Sequence, residues 1–230
     1  MPGEHVNRGT KRAREARATL GCSAAGPLPC LLTIVEEDAG IPVLLHRLPG
    51  DVAGCFWHDG DRRLIHVNAA HGLPRRRFTL AHELGHAWMG HDGAVVVDDV
   101  HMLGGRTASP RELEANAFAA EFLVPARGLE ELLGGEPPTL DTLVVLAAGF
   151  GVSAIAVLYR CVSCGLAGDD RARRLEAEIG EGLHLARHAE LRPPVIDDRL
   201  AAIDALPYLS PALAGSELAV AASAIRPDRR

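Results

Sequence analysis

Residues 82–86 read His-Glu-Leu-Gly-His, inside a stretch whose apolar side chains recur with helical spacing: Phe78, Leu80, Ala81, Leu84, Ala87 and Trp88. Two histidines four residues apart lie on one helical face, so both imidazoles can converge on a single ion. Such a helix needs a further donor from elsewhere in the chain, and therefore a second element packed against it. Zinc accepts neutral imidazole nitrogen, and a catalytic zinc keeps three protein donors and one open position. The ion lowers the pKa of a water at that position to about neutral. Glu83 lies one residue past the first histidine. Its carboxylate can reach that water without binding the metal, so Glu83 is the expected catalytic base.

The sequence offers two carboxylates for the third position. Ser109-Pro110 opens a second helix, with serine as N-cap, proline at the first helical position and Glu112 in the first turn, and the helix should stop at Pro125. Glu112 and Asn116 are four apart and share a face, whereas Glu114 points to the other side. Glu112 is the expected ligand in preference to Glu114, and Asn116 is placed to hydrogen-bond a ligating histidine and set its tautomer. Glu114 reads as a helix-surface charge. His91 follows His86 by five residues, but the metzincin pattern wants its third histidine six after the second and a glycine three after it; Asp92 and Met89 stand there instead. His91 therefore reads as a loop or surface residue. His101 reads as a solvated loop histidine, within reach of substrate or oxyanion at most.

Around this centre the chain divides by pattern. Residues 1–30 form a charged, partly helical lead-in with a Gly/Pro-rich end. Ile41–Leu48, Val52–His58 and Leu64–Asn68 are strand-like, with Asp59-Gly60 as a hairpin signal, and predict a small antiparallel sheet. A loop carrying Asp98, Asp99 and Gly104-Gly105 separates the two metal-site helices. Asp141–Leu166 reads as helix, turn, helix, and the remainder to Arg230 as helical with proline breaks. The uncharged run Thr142–Tyr159 approaches membrane-spanning length, but the Gly149-Phe150-Gly151 break makes it two short helices. Cys22, Cys30, Cys55, Cys161 and Cys164 are an odd, scattered set, which suits a reduced cytosol better than a disulfide framework. Cys161-Val-Ser-Cys164 lacks the second pair that a zinc ribbon needs. A net charge of −6 argues against a dominant non-specific hold on nucleic acid.

Arg76-Arg77-Phe78-Thr79-Leu80-Ala81 leading into His82–His86, then Glu112-Leu-Glu-Ala-Asn116-Ala-Phe-Ala-Ala120 and Phe122-Leu-Val-Pro125, resemble the ImmA/IrrE metallopeptidases over about residues 30–165. The resemblance implies a zincin-like peptidase core and a helix-turn-helix-like region after it. It implies His82 and His86 as histidine ligands, Glu112 as the glutamate ligand and Glu83 as the base. It also implies that the chain cleaves a DNA-binding repressor, so that stress-response or mobile-element genes are released.

The expected architecture is α+β. A zincin-like domain covers 31–135, a helix-turn-helix-like region 138–168 and a helical C-terminal region 169–230. The second helix of the pair, 153–160, carries one charge, Arg160, too few for reading a DNA groove. Packing or substrate docking is expected there, with DNA binding weak. Tyr159 reads as a core residue or an oxyanion donor. Arg75, Arg76 and Arg77 read as contacts for acidic substrate groups or as a solvated basic turn. An extended substrate strand would add at the sheet edge above the active-site helix. The expectation is a cytoplasmic zinc endopeptidase, free of membrane, acting on a protein substrate. Two rivals stand beside it: a DNA-binding regulator with a vestigial peptidase site, and a toxin–antitoxin component acting by protein interaction.

Overall fold

β-Branched and apolar residues at alternate positions build the sheet. The computed structural model describes residues 2–48, 52–91, 95–98, 109–193, 199–201, 203 and 208–213. Strands β1 (Val43–His46), β2 (Val52–Asp59), β3 (Arg62–Asn68), β4 (Val95–Asp98) and β5 (Tyr208–Leu209) form one sheet in the order β4-β2-β3-β1-β5. β2 and β3 are an antiparallel hairpin, Phe56 opposite Ile65 and Gly54 opposite Val67, and Gly60 turns between them at φ +56°. β1 runs parallel to β3, Val43 beside Ile65 and Leu45 beside Val67.

The sheet is thus mixed, not antiparallel as the strand pattern led us to expect. Alternation reports which face a residue takes, and that is the same for either strand direction. Two strands arise where none was expected. β4 lies in the segment read as loop, and β5 lies in the C-terminal segment read as helical.

One face of the sheet, with Val43, Leu45, Phe56, Ile65 and Val67, joins the main core. Against it lies α3 (Leu73–Met89), with Pro74 in its first turn and Gly90 in the left-handed conformation ending it. α4 (Pro110–Leu123) starts at the Ser109 cap, stops before Pro125 and packs on α3. The helices approach closely because residue 85 has no side chain: a Cβ there would stand 3.0–3.2 Å from atoms of Phe118. On the other side of α4 lies α1 (Pro2–Thr19), whose Ala13 and Ala16 are fully buried. The lead-in is therefore part of the core. After it come the short α2 (Leu31–Thr33), continued as a π-type turn, and, downstream of α4, α5 (Ala126–Leu133).

α6 (Leu140–Phe150) and α7 (Ala154–Ser163) meet at 104° across Gly151. Thr139 and Thr142 form a capping box for α6, and Ser153 caps α7. Among the described residues no single helix is long and apolar enough to cross a membrane. α8 (Asp169–Gly180) and α9 (Leu183–Leu191) pack on this pair.

Arg76 and Arg77 are neither substrate contacts nor a solvated turn. Both are buried and donate to backbone carbonyls: Arg76 to Ala69 (2.6 Å), Leu200 (3.0 Å) and Ile203 (3.2 Å), and Arg77 to Leu28 (2.9 Å) and Phe150 (3.3 Å). They tie α3 to the segments packed around it through backbone carbonyls.

Candidate metal centre

The i,i+4 spacing on α3 sets His82 and His86 side by side. Both are fully buried, with Nε2 atoms 3.0 Å apart. The cap of α4 positions the first turn facing them: Ser109 Oγ accepts from the Glu112 backbone N–H at 3.3 Å. Glu112 Oε2 then lies 3.1 Å from His82 Nε2, and Oε1 lies 3.4 Å from His86 Nε2. One donor atom from each of the three residues lies within 4.8 Å of the other two, the only such cluster among the described residues. Asn116, one turn further along α4, places Oδ1 2.9 Å from His82 Nδ1. An amide oxygen only accepts, so His82 holds its proton on Nδ1 and turns a bare Nε2 toward His86 and Glu112.

The electrostatics suit a cation. Burial lowers the His86 pKa against the opposing pull of Glu112, which favours the neutral imidazole that metals require. Burial alone would raise the Glu112 carboxyl; the hydrogen bonds and charges of His82 and His86 outweigh it and hold the group well below the usual carboxylate range. Two imidazole nitrogens and a carboxylate converging in a largely buried site fit a divalent ion with N/O preference.

Glu83 is fully buried beside this cluster, and neither of its carboxylate oxygens has a hydrogen-bond partner among the described residues. Burial, and then the charge of Glu112, raise its pKa well above the ordinary value; the Phe56 backbone N–H nearby opposes them but does not meet hydrogen-bond geometry. An unpaired buried carboxyl is costly, and groups so perturbed concentrate at functional sites.

Two residues that sequence reasoning set aside belong to this site. His91 is buried, its Nδ1 2.8 Å from His86 Nδ1 and its Nε2 3.1 Å from Glu114 Oε2. Glu114 is 3 % exposed, not a surface charge, and also meets His5 and Arg8 of α1. A sequence signal for His91 existed. A glycine ending a helix in the left-handed conformation brings the following residue back over the one four before the glycine. Here the His91 N–H bonds the His86 carbonyl at 3.0 Å.

Tyr159 is not a core residue: it is 38 % exposed and donates to Glu176 at 2.6 Å. It lines, with Phe78, Leu113, Asn116 and Ala117, a groove of about 530 Å³ bordering the His82 side of the centre. His101 lies outside the described residues.

Comparison with known proteins agrees with this geometry. The profile of one family, described as Peptidase_M78, the IrrE N-terminal-like domain, matches residues 36–162, more than half of the chain. A radiation response metalloprotease IrrE from Deinococcus radiodurans is 37 % identical over 110 residues, covering 45 % of this chain and 33 % of the relative. One of the same name from Deinococcus deserti is 36 % identical over 104 residues, covering 44 % of this chain and 37 % of the relative. The matches span about a third of the length of these curated relatives.

Proposed function

Because the chain belongs to the IrrE N-terminal-like family of peptidases, we propose that it is a zinc metalloendopeptidase that cuts a regulatory protein. In this reading the substrate is a helix-turn-helix DNA-binding repressor. Its cleavage, in the cytoplasm, releases stress-response or mobile-element genes.

The observation that carries the reading is the juxtaposition of Glu83, buried and unpaired, with the converging donors of His82, His86 and Glu112. Those three residues would hold the ion, and zinc bound there would supply Lewis acidity toward a peptide carbonyl and an attacking water. Glu83 takes the proton from that water and returns it to the departing amide nitrogen. Burial keeps this carboxyl basic enough to accept the proton. Asn116 keeps the His82 ring in its ligating tautomer.

β4 ends the strand order among the described residues, and its outer edge is where an extended substrate segment adds. The relatives' name, radiation response metalloprotease, supports a stress-response role. The inward engagement of Arg160, with the Val124 carbonyl (3.0 Å) and Glu121, supports packing or docking over DNA reading for α7. The five unpaired cysteines support a reducing compartment.

The test is incubation of the zinc-loaded chain with a helix-turn-helix repressor from the same genome, followed by mass analysis. Two defined fragments that vanish with chelator are expected. A repressor bound but left intact would favour a role by interaction alone.

A further inference from the structure

A line of hydrogen bonds leads from the metal centre to the N-terminal helix. His86 Nδ1 meets His91 Nδ1 at 2.8 Å, His91 Nε2 meets Glu114 Oε2 at 3.1 Å, and Glu114 Oε1 meets His5 Nδ1 at 2.8 Å and Arg8 Nη1 at 3.4 Å. Two ring nitrogens facing one another share a single proton, so the direction of each bond is set by the end of the line. A carboxylate only accepts. Glu114 therefore takes the Nε2–H of His91. A neutral His91 then has a bare Nδ1, which accepts the Nδ1–H of His86. His86 is left with a bare Nε2 facing His82 and Glu112, the atom a metal ion needs.

The backbone is arranged for this line at both ends. Gly90, at φ +66°, folds the chain so that His91 returns over His86. Gly9 lets α1 lie against Glu114 itself: a Cβ at position 9 would stand 2.1 Å from the Glu114 carbonyl oxygen. His5 and Arg8 lie on the same turn of α1 and its neighbour, and both reach the Glu114 carboxylate. That carboxylate and His91 are each more than nine-tenths buried, where hydrogen bonds are poorly screened and hold orientation well.

We propose that Glu114, held by His5 and Arg8 of α1, sets the tautomer and ring orientation of His86 through His91, so that the N-terminal helix is part of the metal-binding apparatus. His91, Glu114, His5 and Arg8 are positioning residues that touch neither metal nor substrate. The inference rests on His82, His86 and Glu112 holding a metal.

Its test uses the full chain, prepared metal-free. Zinc affinity is read by competition with a chromophoric chelator, and ligand geometry by the visible absorption of the cobalt(II)-loaded protein. His91→Leu and Glu114→Leu, which leave no acceptor for the line, should each lose on the order of 10- to 100-fold in affinity, the usual consequence of removing such a support. Their cobalt bands should shift in both. His91→Gln should recover part of the affinity, because its amide oxygen can accept from His86 while its amide nitrogen donates to Glu114. His5→Ala, on a partly exposed helix face, should show a smaller loss in the same direction and serves if Glu114→Leu does not fold. A packing role predicts the reverse order, with leucine at 91 at least as good as glutamine and cobalt bands unchanged. That result overturns the inference while leaving the metal reading intact. Wild type that takes up no zinc overturns both.

Discussion

Gly54 of β2 lies over Glu83 of α3. A Cβ at position 54 would stand 3.7 Å from Glu83 Cγ, 2.5 Å from Thr79 Cγ2 and 2.6 Å from the His66 carbonyl oxygen. The last contact is backbone of the neighbouring strand and cannot swing away. Gly54→Ala should therefore push α3 off the sheet and move the Glu83 carboxylate. Overpacking of this kind costs about 1–3 kcal/mol, and a displacement near 1 Å costs on the order of 100-fold in rate. Urea unfolding and a cleavage assay should both register the change. Wild-type values in both would mean that Gly54 does not set this approach.

Glu83→Gln and Glu112→Ala should fail in different ways. The glutamine has almost the shape of the carboxylate but cannot take a proton, so cleavage should fall on the order of 100- to 10,000-fold. Zinc content and melting temperature should stay near wild type, since Glu83 is not placed as a ligand. Glu112→Ala removes a donor that faces both His82 and His86, and it should lose metal occupancy. Full activity of Glu83→Gln in the cell would argue for the interaction-only role. Full occupancy in Glu112→Ala would dismiss Glu112 as the third ligand.

Arg77 is fully buried and bonds the carbonyls of Leu28 and Phe150. Arg77→Ala leaves both without this donor and opens a cavity. The expected loss is about 3 kcal/mol, which for a chain of this size lowers the melting temperature by roughly 6–12 °C. Calorimetry of the metal-free protein measures it. A shift under one degree would show that the guanidinium is not a tie between elements.

His66 faces away from α3 on the reverse of the sheet, its ring centroid 6.0 Å from that of His46. Burial, and secondarily His46, push its pKa down to about 4 from the ordinary 6.5. Between those values the unfolded chain binds the proton and the folded chain does not. Stability is therefore expected to fall as the pH drops from the upper value toward the lower. At about pH 5 the loss from this group is on the order of 2 kcal/mol; over the same range the lowered His86 and His91 act in the same direction and the raised Glu83 in the opposite one, so the share of His66 is read from its variant. Urea midpoints measured with chelator present should show this slope, and His66→Leu should flatten it. An unchanged slope in that variant would assign the effect to other groups.

What could be read along the chain was what depends on near neighbours. The 82–86 spacing, the Ser109-Pro110 cap and the Glu112/Asn116 facing are properties of one or two helical turns, and the structure brings these side chains together. The 104° break between α6 and α7 likewise follows from glycine at the turn.

Tertiary structure alone decided what depends on distant neighbours. Three consecutive arginines read as substrate contacts or a solvated turn until the carbonyls of Leu28, Phe150 and Leu200 close around two of them. β1 pairs with β3 in parallel because the path of the chain, not the alternation of its side chains, selects the partner. The spacing of His91 from His86 bears only on whether His91 could bind the metal. Its support of His86 needs Glu114, 23 residues on, and Glu114 in turn needs His5, 109 residues back. Local spacing gives a side chain its direction. Only packing removes the water around it, and with the water gone a surface charge on α4 becomes the fixed end of a hydrogen-bonded line.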